Sequence, residues 1–198
     1  MLGGALDIEG WMSPPELAFL QAIVFTLPQG ARMVEVGSWK GRSTVAICEA
    51  LRQIDGRLTA VDTFRGDIHI GDAAVETEFR TNTAAFTDLL DVEVAESMVA
   101  ARDILDGSLD CVFIDASHAY DAVSADIRAW APKVKTGGIV CGHDWRWASV
   151  NVAVREAFGR HTGCWQTIWY TRKAVGTHPV ATLEKQIRRA LGRLDHSG

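Results

Sequence analysis

Short apolar segments alternate with amphipathic ones along this chain, and this alternation constrains the fold more than any other feature. The apolar segments, typical of buried strands, are 33–36, 58–62, 92–95, 109–115, 139–144 and 164–173. Segments with helical periodicity lie between them. Such strand–helix units form right-handed β–α–β crossovers around a mostly parallel sheet. We therefore predict an α/β fold, a doubly wound Rossmann-like sheet of six to seven strands with helices on both faces.

The length of 198 residues suits one domain with a full hydrophobic core. We predict this domain over 1–175 and an amphipathic helical tail over 176–198. The pattern Ser-Pro-Pro-Glu at 13–16 predicts a helix start with a capping box. In the tail, an apolar stripe is formed by Val180, Leu183, Ile187, Leu191 and Leu194. This stripe can pack on the domain itself or form a homodimer interface, and the sequence favours neither.

The composition argues against several kinds of partner. The net charge is −5, so we expect no nucleic-acid partner, which would require a basic surface. We expect no membrane partner, because no apolar run is long enough to span a bilayer, and no signal peptide, because the first thirty residues lack a basic region. The four cysteines, at 48, 111, 141 and 164, show no CxxC spacing. Cys111 and Cys141 fall inside apolar runs, and we interpret them as core thiols of a cytoplasmic protein.

The stretch VEVGSWKGRST, at 34–44, places a glycine turn after the first predicted strand. A phosphate-binding loop would need GxxxxGK[ST], but this turn is one residue too short and Arg42 replaces the lysine. A dinucleotide turn would need a glycine where Trp39 stands. An adenosine cofactor without phosphates fits better. Asp62, at the end of the second predicted strand, can accept ribose hydroxyls, and Glu35 can take an ammonium group through a water or a backbone group.

Three stretches together resemble a known family: EVGSWKGRST, AVDTF and FIDASHAYDAVSADIRAWAPKVKTGGIVCGHDW. They are similar to class I S-adenosylmethionine-dependent methyltransferases, in particular the small O-methyltransferases that modify sugars and natural products. The resemblance covers about residues 13–173. It implies the class I methyltransferase fold, S-adenosyl-L-methionine as cofactor, and methyl transfer to a hydroxyl of a small molecule, here a sugar or natural product.

The resemblance also implies which residues hold the cofactor, with Ser97 near the adenine. The implied cofactor-binding residues are Glu35, Gly37, Ser38, Gly41, Ser43, Asp62, Ser97 and Asp115.

The resemblance implies that the fourth and fifth predicted strands are neighbours in the sheet. Four side chains at or just after the ends of these strands can then converge at one edge: Asp115, His118, His143 and Asp144. Carboxylates suit Mg²⁺, and a histidine is a plausible base near neutral pH. The resemblance to metal-dependent O-methyltransferases implies Asp115 and Asp144 as metal ligands and His118 as the base. In those relatives an oxygen ligand stands where this chain has His143.

Three alternatives for His143 therefore stay open. A divalent metal other than Mg²⁺ could be held by Asp115, His143 and Asp144 together, since imidazole suits Zn, Fe or Ni better. His143 could instead be a second catalytic base or a substrate contact. In the third alternative no metal binds.

The remaining expectations concern the surroundings of the site. Trp11, Trp145 and Trp147 are expected beside the ligand loops; Trp130, Trp165 and Trp169 are expected in the core. Asp121 and Asp126 are expected on the surface or at the cap of their helix. The loop 64–72 can be a lid or an ordinary surface loop, and only one strand is predicted after the fifth.

Two rival functions also remain. One is a metal-dependent hydroxylase of the cephalosporin-hydroxylase type on the same fold, and the other is a protein that binds the cofactor without catalysis.

Overall fold

The computed structural model describes residues 2–65, 72–173 and 179–194. The strands are β1 (Arg32–Val36), β2 (Arg57–Asp62), β3 (Leu90–Val94), β4 (Leu109–Ile114), β5 (Val134–Gly142), β6 (Gly163–Trp165) and β7 (Ile168–Arg172). The α-helices are α1 (Pro14–Val24), α2 (Arg42–Arg52), α3 (Asp72–Asn82), α4 (Ser97–Ala100), α5 (Tyr120–Trp130), α6 (Ala148–Phe158) and α7 (Pro179–Leu194). Short 3-10 turns occur at Gly4–Asp7, Ala84–Phe86, Ala101–Asp103, Ala131–Lys133 and Gly159–His161.

The strands form one seven-stranded sheet in the order β3-β2-β1-β4-β5-β7-β6. The first five strands of this order are parallel, and β7 pairs antiparallel with both β5 and β6. The predicted α/β class and mostly parallel sheet are confirmed. The strand order reverses between β1 and β4, so the carboxyl ends of these two neighbours border the crevice in which open α/β sheets bind ligands.

The prediction of a single strand over 164–173 is wrong, because the structure has the hairpin β6–β7 there. Trp165 pairs with Ile168, and Gln166 between them has a left-handed φ of 52°. The segment is apolar on both sides of the turn and contains no glycine, proline or asparagine at its tip. The usual turn signals are therefore missing from the sequence.

Two apolar layers cover the faces of the sheet. One is built by α1, α2 and α7 with the strands, and the other by α5 and α6. Trp130 and Trp169 are buried as predicted, whereas Trp165 is only partly buried. Cys48, Cys111 and Cys141 are buried free thiols. Cys164 lies on the short edge strand β6 and is exposed.

Helix α7 lies on the domain itself. Leu183 and Ile187 are completely buried, and the helix contacts α1 and β7. Val180, Leu191 and Leu194 are partly buried against the same core. Among the described residues, no helix combines the length and the apolar character needed to cross a membrane.

Candidate active site

The glycine turn after β1 wraps around the carboxylate of Asp62, at the end of β2. The backbone N–H groups of Ser38 and Trp39 donate to Asp62 Oδ2, at 2.6 and 2.8 Å. The N–H of Phe64 donates to Asp62 Oδ1 at 2.7 Å. Successive N–H groups of this kind usually form an anion-binding nest. Here an internal carboxylate occupies the nest, which agrees with the prediction that the turn does not bind a phosphate.

Asp62 consequently has a structural role that the sequence did not reveal. A carboxylate offers about four acceptor positions, and three backbone donors occupy most of them in this arrangement. Asp62 lines the cavity described below, but only part of its acceptor capacity is left for ribose hydroxyls.

Gly37 and Gly41 are explained by close packing and backbone conformation. Both have left-handed φ angles, 87° and 91°. A Cβ on Gly37 would lie 2.2 Å from the carbonyl oxygen of Asp115, so only glycine allows the ends of β1 and β4 to meet. Gly41 is the N-cap of α2, and a Cβ there would approach Thr83 to 3.1 Å.

Glu35 is completely buried beneath the turn. Its Oε2 accepts hydrogen bonds from the hydroxyls of Ser38, at 3.0 Å, and Thr44, at 2.5 Å. Its Oε1 has no partner among the described residues. Burial raises the pKa of Glu35 to about 7, against the opposing effect of the hydroxyls of Thr44, Ser43 and Ser38.

A cavity of about 720 Å³ opens at the carboxyl ends of the parallel strands. Its volume lies in the range typical of small-molecule sites. All but two of the predicted site residues line this cavity. The lining residues among them are Gly37, Ser38, Ser43, Asp62, Ser97, Asp115, His118, His143 and Asp144. The two exceptions are Glu35 and Gly41. A ligand in the cavity can therefore reach Glu35 only through an intermediate such as Ser38, Ser43 or a water.

One end of the cavity holds Asp126, a buried acid on α5. The prediction that Asp126 lies on the surface or caps the helix is therefore wrong. Asp126 is 6% exposed. Trp130 Nε1 donates to Ser97 Oγ at 2.8 Å, and the Ser97 hydroxyl donates to Asp126 Oδ1 at 2.5 Å. Burial raises the pKa of Asp126, although the Ser97 hydrogen bond opposes this. By contrast, Asp121 is exposed, as expected.

The other end of the cavity holds His118 and Asp144. His118 Nε2 lies 2.8 Å from Asp144 Oδ2, and its ring stacks on Trp147 with centroids 4.8 Å apart. Burial by itself raises the pKa of Asp144, but hydrogen bonds and charges of His143 and His118 outweigh this and lower it. His118 is therefore held from two sides, by a carboxylate and by an aromatic face.

His143 is buried between two carboxylates on one side and a hydroxyl on the other. Its Nδ1 lies 3.6 Å from Asp115 Oδ1 and 3.3 Å from Asp144 Oδ1. Its Nε2 lies 2.7 Å from Thr167 Oγ1. Burial lowers the pKa of His143, but Asp115 and Asp144 outweigh it and raise the pKa to about 10. Asp115, His143 and Asp144 each offer a ligand atom within 4.8 Å of the others.

Tryptophans surround the mouth of the cavity. Trp11 and Trp147 line it as expected, and both are more than half exposed. Trp145 is not part of the lining and instead lies against Arg155, whose guanidinium is 5.4 Å from the ring centroid. Trp39 was not expected at the mouth, but its ring lies 4.3 Å from that of Trp11.

The fold and the place of the cavity are those of class I S-adenosylmethionine-dependent methyltransferases: a seven-stranded sheet whose switch-point cavity is bordered by a glycine turn and an acid on β2. Residues 34–145, more than half of the chain, match a family described as "Methyltransferase domain". The chain belongs to this methyltransferase family.

Known proteins similar to this chain agree with that assignment. An O-methyltransferase from Bacillus cereus, solved in complex with SAH, is 18% identical with a TM-score of 0.64, covering 87% of this chain and 90% of that one. The TDP-rhamnose 3′-O-methyltransferase of calicheamicin biosynthesis is 17% identical with a TM-score of 0.59, covering 80% and 78%. At these identities the likeness concerns the fold.

A curated relative is much longer than this chain. The uncharacterized protein y4gI of Sinorhizobium fredii is 30% identical in an alignment of 169 positions, which covers 76% of this chain and 18% of that protein. The chain thus spans less than a fifth of the length of this relative.

Proposed function

We propose that this chain transfers the methyl group of S-adenosylmethionine to a hydroxyl of a small molecule. The observation that carries the proposal is the His118–Asp144 pair, 2.8 Å apart on the wall of the cavity that the glycine turn borders. The cofactor is expected to lie between the Ser97–Asp126 end and the Asp115 end. Its sulfonium then faces the histidine pair, and the acceptor enters beside Trp11 and Trp147.

The charges of the cavity support a cationic cofactor over a phosphorylated one. Carboxylates of Asp62, Asp115, Asp126 and Asp144 line the wall. Arg42 also lines the wall, but the guanidinium of Arg42 donates hydrogen bonds to the main-chain carbonyls of Met12 and Ile8. A pyrophosphate would meet this acidic wall unfavourably, whereas a sulfonium and an ammonium group are attracted to it.

The two acids at the nucleoside end fit an adenosine. Asp126 Oδ1 is held by Ser97, which leaves Oδ2 to accept a hydrogen bond from the adenine amino group. Asp62 retains part of its acceptor capacity for a ribose hydroxyl. The amino-acid end of the cofactor is then next to Ser38 and Ser43, with Glu35 behind them.

The proposed chemistry is an in-line displacement at the methyl carbon. The acceptor oxygen forms a bond to carbon as the carbon–sulfur bond breaks, and the sulfonium leaves as the neutral thioether of S-adenosylhomocysteine. His118 takes the proton of the acceptor hydroxyl. Asp144 accepts the hydrogen on Nε2 of His118, so Nδ1 is the basic nitrogen, and the carboxylate balances the imidazolium that forms.

A divalent metal is a further component that one observation favours. The donor set of Asp115, His143 and Asp144 is compact, and its imidazole nitrogen suits Fe, Ni or Zn better than Mg²⁺. A bound metal would lower the pKa of the acceptor hydroxyl. It would also have to replace the hydrogen on His143 Nδ1, so protonated His143 competes with it.

The donor geometry favours methyl transfer over the hydroxylase alternative. Ferrous oxygenases typically use two histidines and one carboxylate. The compact group here has one histidine and two aspartates, while His118 is hydrogen-bonded to Asp144 outside it.

For the acceptor, we propose a sugar or another hydroxylated natural product. The exposed rings of Trp11 and Trp147 can stack on a sugar or a planar ring. The similarity to the TDP-rhamnose 3′-O-methyltransferase supports this class of acceptor.

The test is methyl transfer from radiolabelled S-adenosylmethionine to a panel of acceptors that includes TDP-rhamnose and catechol, with and without EDTA. Labelled product that requires His118 is expected. Tight cofactor binding with no product from any acceptor would instead identify a non-catalytic binding protein. Full activity in EDTA would remove the metal from the mechanism.

A further inference from the structure

We infer that Glu16 and Thr167 are positioning residues that keep a hydrogen on Nε2 of His143 and turn its Nδ1 toward Asp115 and Asp144. This inference rests on the proposed function, in which those two acids and His143 form the chemical end of the site. Neither Glu16 nor Thr167 lines the cavity, so each would act through His143.

Glu16 is a buried carboxylate surrounded by donors. It is 5% exposed and lies in the first turn of α1. Its Oε2 accepts from the N–H of Ser13 at 2.9 Å and from the Ser13 hydroxyl at 2.7 Å. Its Oε1 accepts from the N–H of Thr167 at 3.3 Å and from the Thr167 hydroxyl. The capping box of α1 needs only Oε2, so Oε1 is available for a second task.

The donor directions follow from the chemistry of these groups. An ionised carboxylate can only accept, so the single hydroxyl hydrogen of Thr167 points to Glu16. The Thr167 oxygen must then accept at its other contact, the 2.7 Å contact with His143 Nε2. His143 Nε2 therefore carries a hydrogen, and its hydrogen bond to Thr167 fixes the orientation of the imidazole ring.

This arrangement determines which ring nitrogen of His143 faces the site. With Nε2 bound to Thr167, Nδ1 is the nitrogen that faces Asp115 and Asp144. Nδ1 can donate to both carboxylates as an imidazolium or, without its hydrogen, ligate a metal beside them. Asp144 in turn contacts His118 through its other oxygen. A chain of contacts thus joins the start of α1 and the β6–β7 turn to the proposed base.

Two substitutions, at Glu16 and at Thr167, should remove the hydrogen bonds that orient the His143 ring while keeping side chains of similar shape. In Glu16→Gln, the amide can still complete the capping box but places an N–H₂ donor in the network, so Thr167 no longer has an obligatory acceptor. Thr167→Val keeps the side-chain volume and removes the hydroxyl. Thr167→Ser is the conservative variant that keeps the hydroxyl. Ser13→Ala is the matched control, because it weakens the cap and leaves the contact between Thr167 and His143 in place.

The experiment is ¹⁵N NMR of the histidine side chains of the full chain, together with its melting temperature and calorimetric affinity for S-adenosylhomocysteine. In the wild type and in Thr167→Ser, we expect a slowly exchanging hydrogen on Nε2 of His143. Thr167→Val and Glu16→Gln should lose its protection. Ser13→Ala should keep it despite a lower melting temperature. With the panel acceptor that turns over fastest, Glu16→Gln and Thr167→Val should reduce kcat at least tenfold, with S-adenosylmethionine KM within about twofold.

A wild-type His143 without a hydrogen on Nε2 would overturn the inference. Unchanged Nε2 protection in folded Thr167→Val and Glu16→Gln would do the same. These outcomes are independent of methyl transfer, so the inference can fail while the proposed function stands. If no panel acceptor is methylated, the proposed function fails and the NMR result still decides the role of Glu16 and Thr167.

Discussion

The buried Glu35 should make the stability of this protein depend on pH in a way that a single substitution removes. Its pKa is about 7 in the folded chain against 4.5 for an unperturbed glutamate. Folded Glu35 therefore holds a proton that the unfolded chain releases, so folding takes up a proton between these two values. The stabilisation is complete below about pH 4.5 and is lost as the pH rises through 7.

The magnitude follows from the size of the shift. One pKa unit corresponds to about 1.4 kcal/mol, so the full effect is about 3 kcal/mol, and about 2.5 kcal/mol of it falls between pH 5 and pH 8. Glu35→Gln keeps the shape and cannot titrate. Over this interval the free energy of unfolding of the wild type should therefore fall by about 2.5 kcal/mol more than that of the variant.

Urea unfolding at pH 5 and at pH 8 measures this difference, provided that each transition is two-state. Other titrating groups are common to both proteins and cancel in the comparison. Glu93→Gln, on the exposed part of β3, is the control and should behave like the wild type. Equal pH dependence in the wild type and Glu35→Gln would mean that Glu35 is not protonated beneath the glycine turn.

Three further predictions concern the cavity. Asp62→Asn should weaken S-adenosylmethionine binding about tenfold and lower the melting temperature, because an amide has only one oxygen to accept from the N–H groups that now donate to the two carboxylate oxygens. Calorimetry and thermal unfolding measure the two effects. An unchanged affinity together with an unchanged melting temperature would contradict this role of Asp62. His118→Ala should reduce turnover at least a hundredfold with cofactor affinity within about twofold, and unchanged turnover would exclude His118 as the base. Asp126→Ala should weaken calorimetric S-adenosylhomocysteine binding by about tenfold, by loss of a buried acceptor, while the exposed control Asp121→Ala leaves it unchanged; equal affinities would remove Asp126 from the nucleoside site.

The central strands could be predicted because parallel strands covered on both faces are almost continuously apolar. The segments around Val34, Val61 and Phe113 are of this kind. The glycine turn could also be predicted, because the positive φ angles and close contacts at Gly37 and Gly41 exclude most other residues. The glycine turn and nine of the eleven predicted site residues, which line the cavity, could therefore be predicted from the sequence and its family resemblance.

The features that the sequence missed depend on contacts between distant segments. Asp126 has the position of an ordinary surface acid on a helix, and only its hydrogen bond with Ser97 reveals its burial. The partnership of Glu16 with Thr167 spans 151 residues. The β6–β7 turn uses Gln166, which carries no turn signal. Tertiary packing decided each of these cases, and no local pattern records it.

Calorimetry of the purified chain with S-adenosylhomocysteine and, in parallel, with NAD measures whether a sulfonium nucleoside occupies the cavity between Asp126 and Asp115. We expect saturable binding of one S-adenosylhomocysteine per chain and no binding of NAD. Binding of NAD without any response to S-adenosylhomocysteine would contradict it.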